Sequence, residues 1–146
     1  MKPDVETMLR VIGERLAGEV APAISDAYLA TDVNYFAILV LAIADQWDDA
    51  AAWRHAENTS LRALFARAAP LVPDLRADLE AAIATPPAGL CIRELEADNA
   101  VLRALLIRLH EAVEALPGEE ARALEAAILA ELADGVRRRT IPTTML

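Results

Sequence analysis

Apolar positions recur along most of this chain at the three- and four-residue spacing of helices, and nowhere do they alternate as a strand would. Val5, Met8, Leu9, Ile12 and Leu16 predict a first helix with one buried stripe, started at Pro3-Asp4 and ended by Gly18 and Pro22. A short helix over 23–29 is expected to turn Ile24 and Tyr28 inward, and Thr31-Asp32 to cap the next. Residues 33–47 are apolar nearly all round, which predicts a central helix covered on several sides. Whether 32–68 is one helix or two stays open. Asp48 and Asp49 interrupt the run, and 50–68 continues with Trp53, Leu61, Leu64 and Phe65. Pro70 and Pro73 break it, 74–84 forms a short helix, and Thr85-Pro86-Pro87-Ala88-Gly89 is a linker.

The strongest pattern follows. Ile92, Asn99, Leu106 and Val113 occupy one heptad position, and Leu95, Leu102, Leu109 and Leu116 the one three residues on. This is the seam of a helix that packs lengthwise on another helix, and Asn99 is a polar register-setting residue within it. Replacing Asn99 by Leu is expected to raise stability and loosen specificity. Val101, Leu105 and Ile107 are apolar off the seam, so the helix belongs inside a bundle. Pro117-Gly118 then separates helices of about 90–116 and 119–136, expected to fold back as an antiparallel hairpin, with Gly135 starting the second one's end. The expected fold is all-α: one domain over 1–146, a bundle of five to seven helices. It comprises an N-terminal helical region (residues 1–84), the linker 85–89, the hairpin 90–136 and a tail 137–146 suited to a groove.

The chain has 146 residues with 55% hydrophobic content, enough for a core and too apolar for disorder. Its net charge of -9 repels phosphate backbones, and only one Arg lies in 74–90, so a basic-region zipper and nucleic-acid binding are excluded. Arg137, Arg138 and Arg139 suit a helix C-terminus, with an anionic site as the alternative. Cys91 is alone, which rules out an internal disulfide and suits a small buried hydrophobe. The first residues lack a signal peptide's apolar core, and the longest apolar run, 35–44, is half a membrane span. A cytoplasmic protein without membrane contact is expected.

Chemistry is sparse. There is no phosphate loop, no paired-Cys metal site and no HExxH, and serine occurs only at 25 and 60. Glu111-x-x-Glu114 followed by Glu131-x-x-Asp134 resembles the EXXE…EXXD pattern of the all-α nucleoside triphosphate pyrophosphohydrolases of the MazG and dUTPase type. That resemblance implies four carboxylates on magnesium and a metal-activated water. Against it, Glu111 and Glu114 fall opposite the leucine seam. Asp45, Asp48, Asp49, Trp53, His55, Glu57 and Asn58 form the densest polar-aromatic patch, read mainly as helix caps at a junction, with Asp45 and Asp49 one turn apart. His110 flanks the seam, and Asn34 and Asn58 are expected to hydrogen-bond inside the bundle. Tyr28, Tyr35, Trp47 and Trp53 are candidates to line a small-ligand pocket.

Residues 8–72, with LxxEVAPAI (Leu16 to Ile24) and the stretch from Ala30 to Ile38 around Asn34, resemble a small bacterial all-helical domain of unknown function. Members of that family accompany aminoglycoside-phosphotransferase-like kinases and acyl-CoA dehydrogenases, which implies an accessory role and no catalytic residues. The expected function is therefore a non-enzymatic interaction or accessory protein without cofactor. It would form a homodimer, or bind a helical protein partner, through the seam.

Overall fold

The computed structural model describes residues 4–47, 49–85 and 89–139. These are helical almost throughout, with no strand among them, so the protein is an all-α bundle. The chain forms two compact units, divided between Ala50 and Ala51 and not at the proline-rich linker. Residues 85 and 89 both belong to the second unit, where Arg62 joins the segments on either side of the linker. Its guanidinium donates to Ala82 O and Thr85 O while pairing with Asp98 beyond the linker.

In the first unit, α1 (Val5–Arg15) is capped by Asp4, whose carboxylate accepts from the Thr7 amide and hydroxyl. Gly18 and Pro22 do not end it. The backbone runs on through a π-helical segment, Leu16–Val20, into α2 (Ala21–Ala23). The widened turn precedes Pro22, whose ring a regular α-turn would press against the carbonyl four residues back. Ile24 is extended, and Asp26 then accepts from the amides of Tyr28 (2.9 Å) and Leu29 (3.1 Å). Asp26, not Thr31-Asp32, therefore starts α3 (Ala27–Trp47), and no separate helix covers 23–29. Thr31 sits mid-helix, its hydroxyl donating to Ala27 O.

α1 and α3 meet through small residues. A Cβ on Gly13 would lie 2.7 Å from Leu41 Cγ and 3.2 Å from Ala37 O, so only glycine allows this approach. Arg10 ties the pair at 2.7 Å from Glu6 Oε1 and 2.8 Å from Asp45 Oδ1; Glu6 first, then Asp45, raises the guanidinium above its ordinary pKa. The expected stripe of the first helix is corrected accordingly: Val5, Met8 and Ile12 are exposed, Leu9 and Leu16 half-buried. Nor is α3 the central helix. Its buried residues are Ala37, Ala42 and Ala44; Val33, Ile38, Val40 and Leu41 are half-buried, and seven of its large side chains are exposed.

The core lies in the second unit. α4 (Ala50–Ala68) supplies Leu61, Leu64 and Phe65, a 3-10 turn at Pro73–Leu75 leads into α5 (Arg76–Ala84) with Leu79, and α6 (Ile92–Glu114) and α7 (Glu119–Arg139) complete it. α6 starts with Cys91 at the N-cap, where Glu94 accepts from the Cys91 amide at 3.3 Å. Cys91 is exposed, not a buried hydrophobe, because the cap lies outside the seam. Gly118, at φ +108°, makes the turn into α7, a conformation that strains any residue carrying a Cβ. α7 does not end near Gly135; it continues to Arg139, its last turn held by arginine–carboxylate pairs.

Candidate functional site

The heptad seam faces the chain's own helices. Leu95, Asn99, Leu102, Leu106, Leu109 and Val113 are at most 4% exposed, while Ile92 is half-buried and Leu116, past the end of α6, is exposed. Leucines of the seam pack with α4 residues such as Leu61 and Phe65 and with Leu124 and Ile128 of α7. Leu105 joins that core, whereas Val101 and Ile107 point to solvent. A seam covered in this way is not free to receive a second chain.

At its polar position, Asn99 Nδ2 donates to Asn58 Oδ1 at 2.7 Å. Asn58 Nδ2 donates to Leu95 O (3.0 Å) and Asp98 Oδ2 (2.9 Å), and Asp98 receives the Arg62 fork at 2.6 and 3.0 Å. Every member is engaged, so the network fixes how α4, α5 and α6 fit together and offers no open coordination to a ligand. Asn58 is thus inside the bundle as expected; Asn34 is exposed.

Glu111, Glu114, Glu131 and Asp134 are not brought together. Glu111 and Glu114 are exposed on α6. Glu131 accepts from Ser60 Oγ and pairs with Arg138 at 2.7 Å, and Asp134 pairs with Arg137. The turn explains this. With Pro117-Gly118 at its centre, His110 lies beside Glu125, so the positions level with Glu111 and Glu114 fall near 121–124. Glu131 lies about 10 Å further along α7 at 1.5 Å per residue. Among the described residues the one group whose ligand atoms converge, within 4.8 Å, is His110, Glu114 and Glu125. His110 Nε2 is covered, lacks a hydrogen-bond partner and stands 3.5 Å from Glu114 Oε1. The donors would suit a zinc-like ion. Since Glu114 is exposed and a His–Glu pair four residues apart is common on helix surfaces, the group carries no functional assignment.

The polar-aromatic patch disperses as well. Asp45 engages Arg10, His55 and Asp49 are exposed, and Asp48 lies outside the described residues. Glu57 turns inward, 2.6 Å from Arg139 Nη2 and 3.6 Å from Arg103 Nη1. Trp53 lies beneath the guanidiniums of Arg54 (4.0 Å) and Arg139 (4.9 Å). Arg137, Arg138 and Arg139 thus all have carboxylate partners within the chain. An open groove of about 520 Å³ between α5 and α6 contains Arg62 and Arg108, paired with Asp98 and Asp78 respectively. The tail from residue 140, expected to fill a groove, lies outside the described residues.

What remains is α3. Tyr28, Leu29, Tyr35, Phe36, Leu39, Ile43 and Trp47 are 42–79% exposed, and at about 100° per residue they share an arc of roughly 120°. Tyr28, Tyr35 and Trp47 therefore stand on an outer surface instead of lining a pocket. The helix is 21 residues long with a mean hydropathy of 1.7 over an 18-residue window, long and apolar enough to cross a membrane by length and composition. The sequence pattern held this stripe: Tyr28, Tyr35, Leu39 and Ile43 follow one helical phase, and Ala30, Ala37 and Ala44 the opposite one, flanked there by Val33 and Leu41.

No protein-family model matches this chain, and neither does any curated protein or solved structure.

Proposed function

We propose that this chain is a non-enzymatic helical interaction protein that self-associates through α3 and not through the heptad seam. The observation that carries the reading is the stripe of seven large apolar side chains left uncovered on α3. Contiguous apolar surface on that scale marks an interaction site. The resemblance of residues 8–72 to an accessory domain points the same way. The pyrophosphohydrolase alternative needs four carboxylates on one cation, and the ligand-pocket alternative needs its aromatics around one cavity. The four carboxylates are not brought together, and Tyr28, Tyr35 and Trp47 stand exposed on one face of α3, which gives those two readings no support.

Size-exclusion chromatography with light scattering at tens of micromolar tests the reading. A mass of twice 15.7 kDa is expected for the native chain. Leu39→Glu, which alters an exposed residue, should give the monomer mass with its helicity retained. A monomeric native chain overturns the reading.

A further inference from the structure

Self-association through α3, on which this step rests, is possible in more than one orientation, and the polar residues within the stripe select among them. Tyr28, Tyr35, Leu39 and Ile43 form the ridge, with Leu29, Phe36 and Trp47 along one side. Within the same arc stand Asp32 and Gln46. Both are half-buried, and no hydrogen bond or ion pair among the described residues engages either side chain.

The chemistry of α3 favours a second copy over lipid. The helix contains no Lys or Arg in a chain of net charge -9, whereas a helix lying on a membrane uses basic residues on its polar face. A membrane span would have to carry α1 with it, including Glu6, Arg10, Glu14 and Arg15, since α1 packs on the alanine face of α3. The seven exposed side chains present on the order of 900 Å², comparable with the roughly 800 Å² that each partner contributes to a standard interface.

In a twofold pair this face meets itself. Parallel pairing in register sets Asp32 against Asp32, two carboxylates in an apolar seam. Asp32 and Gln46 each lie seven residues, about two turns, from Leu39. Antiparallel pairing centred on Leu39 therefore sets each Asp32 opposite the Gln46 amide of the other copy, which can donate to it, and each Tyr35 opposite Ile43. We infer that two copies pair through α3 in antiparallel orientation about a twofold axis at Leu39, with Asp32 of each copy hydrogen-bonded to Gln46 of the other.

Single-cysteine variants Tyr35→Cys and Ile43→Cys, each in the full chain with Cys91→Ser, test the orientation by disulfide formation under mild oxidation. The mixture should crosslink at least ten times faster than either variant alone. A second measurement strengthens the pair instead of weakening it. Gln46→Lys, by meeting Asp32, should tighten the dimer about threefold. Preferential self-crosslinking of Tyr35→Cys together with a weaker Gln46→Lys dimer overturns the antiparallel pairing while leaving the dimer intact. A monomeric native chain, or one that binds neutral phosphatidylcholine vesicles in place of dimerising, overturns the self-association reading and this inference with it.

Discussion

Asn99 donates to Asn58 at 2.7 Å in the interior of the second unit, with each residue 2% exposed. The register-setting asparagine of the heptads therefore has its partner on α4 of the same chain. This reverses the sign expected for Asn99→Leu. The substitution would leave Asn58 Oδ1 buried without a donor, which costs about 1–3 kcal/mol, and would insert a larger side chain. Urea unfolding should show a lower midpoint for Asn99→Leu than for the native chain. A higher midpoint would mean that the hydrogen bond adds nothing over apolar packing.

Arg62 ties α4 to both α5 and α6. It forks onto Asp98 and donates to two carbonyls at the end of α5, and both partners of the ion pair keep only 14–16% of their side-chain exposure. Removing one partner strands the other, at a cost of roughly 3 kcal/mol. Arg62→Lys retains the charge but cannot reproduce the planar fork and the carbonyl bonds together. Both Arg62→Met and Arg62→Lys should lower the unfolding midpoint, the first by more. Equal midpoints for Arg62→Lys and the native chain would show that charge alone suffices.

The heptads are legible in the sequence because a 3.5-residue repeat needs only some neighbouring helix to pack on; which helix it is depends on Asn58, forty-one residues away. α3 is less legible for a different reason. Hydropathy does not distinguish the alanine-rich face that packs on α1, which also carries Leu41, from the face of Tyr35, Leu39 and Ile43 that remains outside; the concentration of small residues on the first face does. The start of α3 lies earlier than the sequence suggests because Asp26 can cap it once Ile24 breaks the preceding helix. The four carboxylates match a motif by spacing, but a turn at 117–118 sets their two halves at different heights along α6 and α7.

Gly13 and Gly18 lie five residues apart and should respond in opposite directions. A side chain at Gly13 collides with Leu41, so Gly13→Val should destabilise by about 1–3 kcal/mol through overpacking. A Cβ at Gly18 meets nothing within 4 Å, so Gly18→Ala should gain up to about 1 kcal/mol from helix propensity. Thermal unfolding followed by circular dichroism reads both. A neutral Gly13→Val would refute the close contact of α1 with α3.

Arg137, Arg138 and Arg139 are equivalent as helix-end cations, yet their partners differ. Arg137 pairs with Asp134 at the surface, where its own side chain is 71% exposed, so Arg137→Met should change stability by less than about 0.5 kcal/mol. Arg139 pairs at 2.6 Å with Glu57, whose side chain is 6% exposed, and its guanidinium covers the Trp53 ring. Arg139→Met leaves that carboxylate with Arg103 at 3.6 Å as its cation among the described residues, at a cost of about 2 kcal/mol, below the full penalty for a stranded buried charge. In a Trp47→Phe background, Trp53 emission should change for Arg139→Met and not for Arg137→Met. Equal losses at the two sites, with no change in emission, would mean that these arginines act only through the helix dipole and that Glu57 does not hold the end of α7.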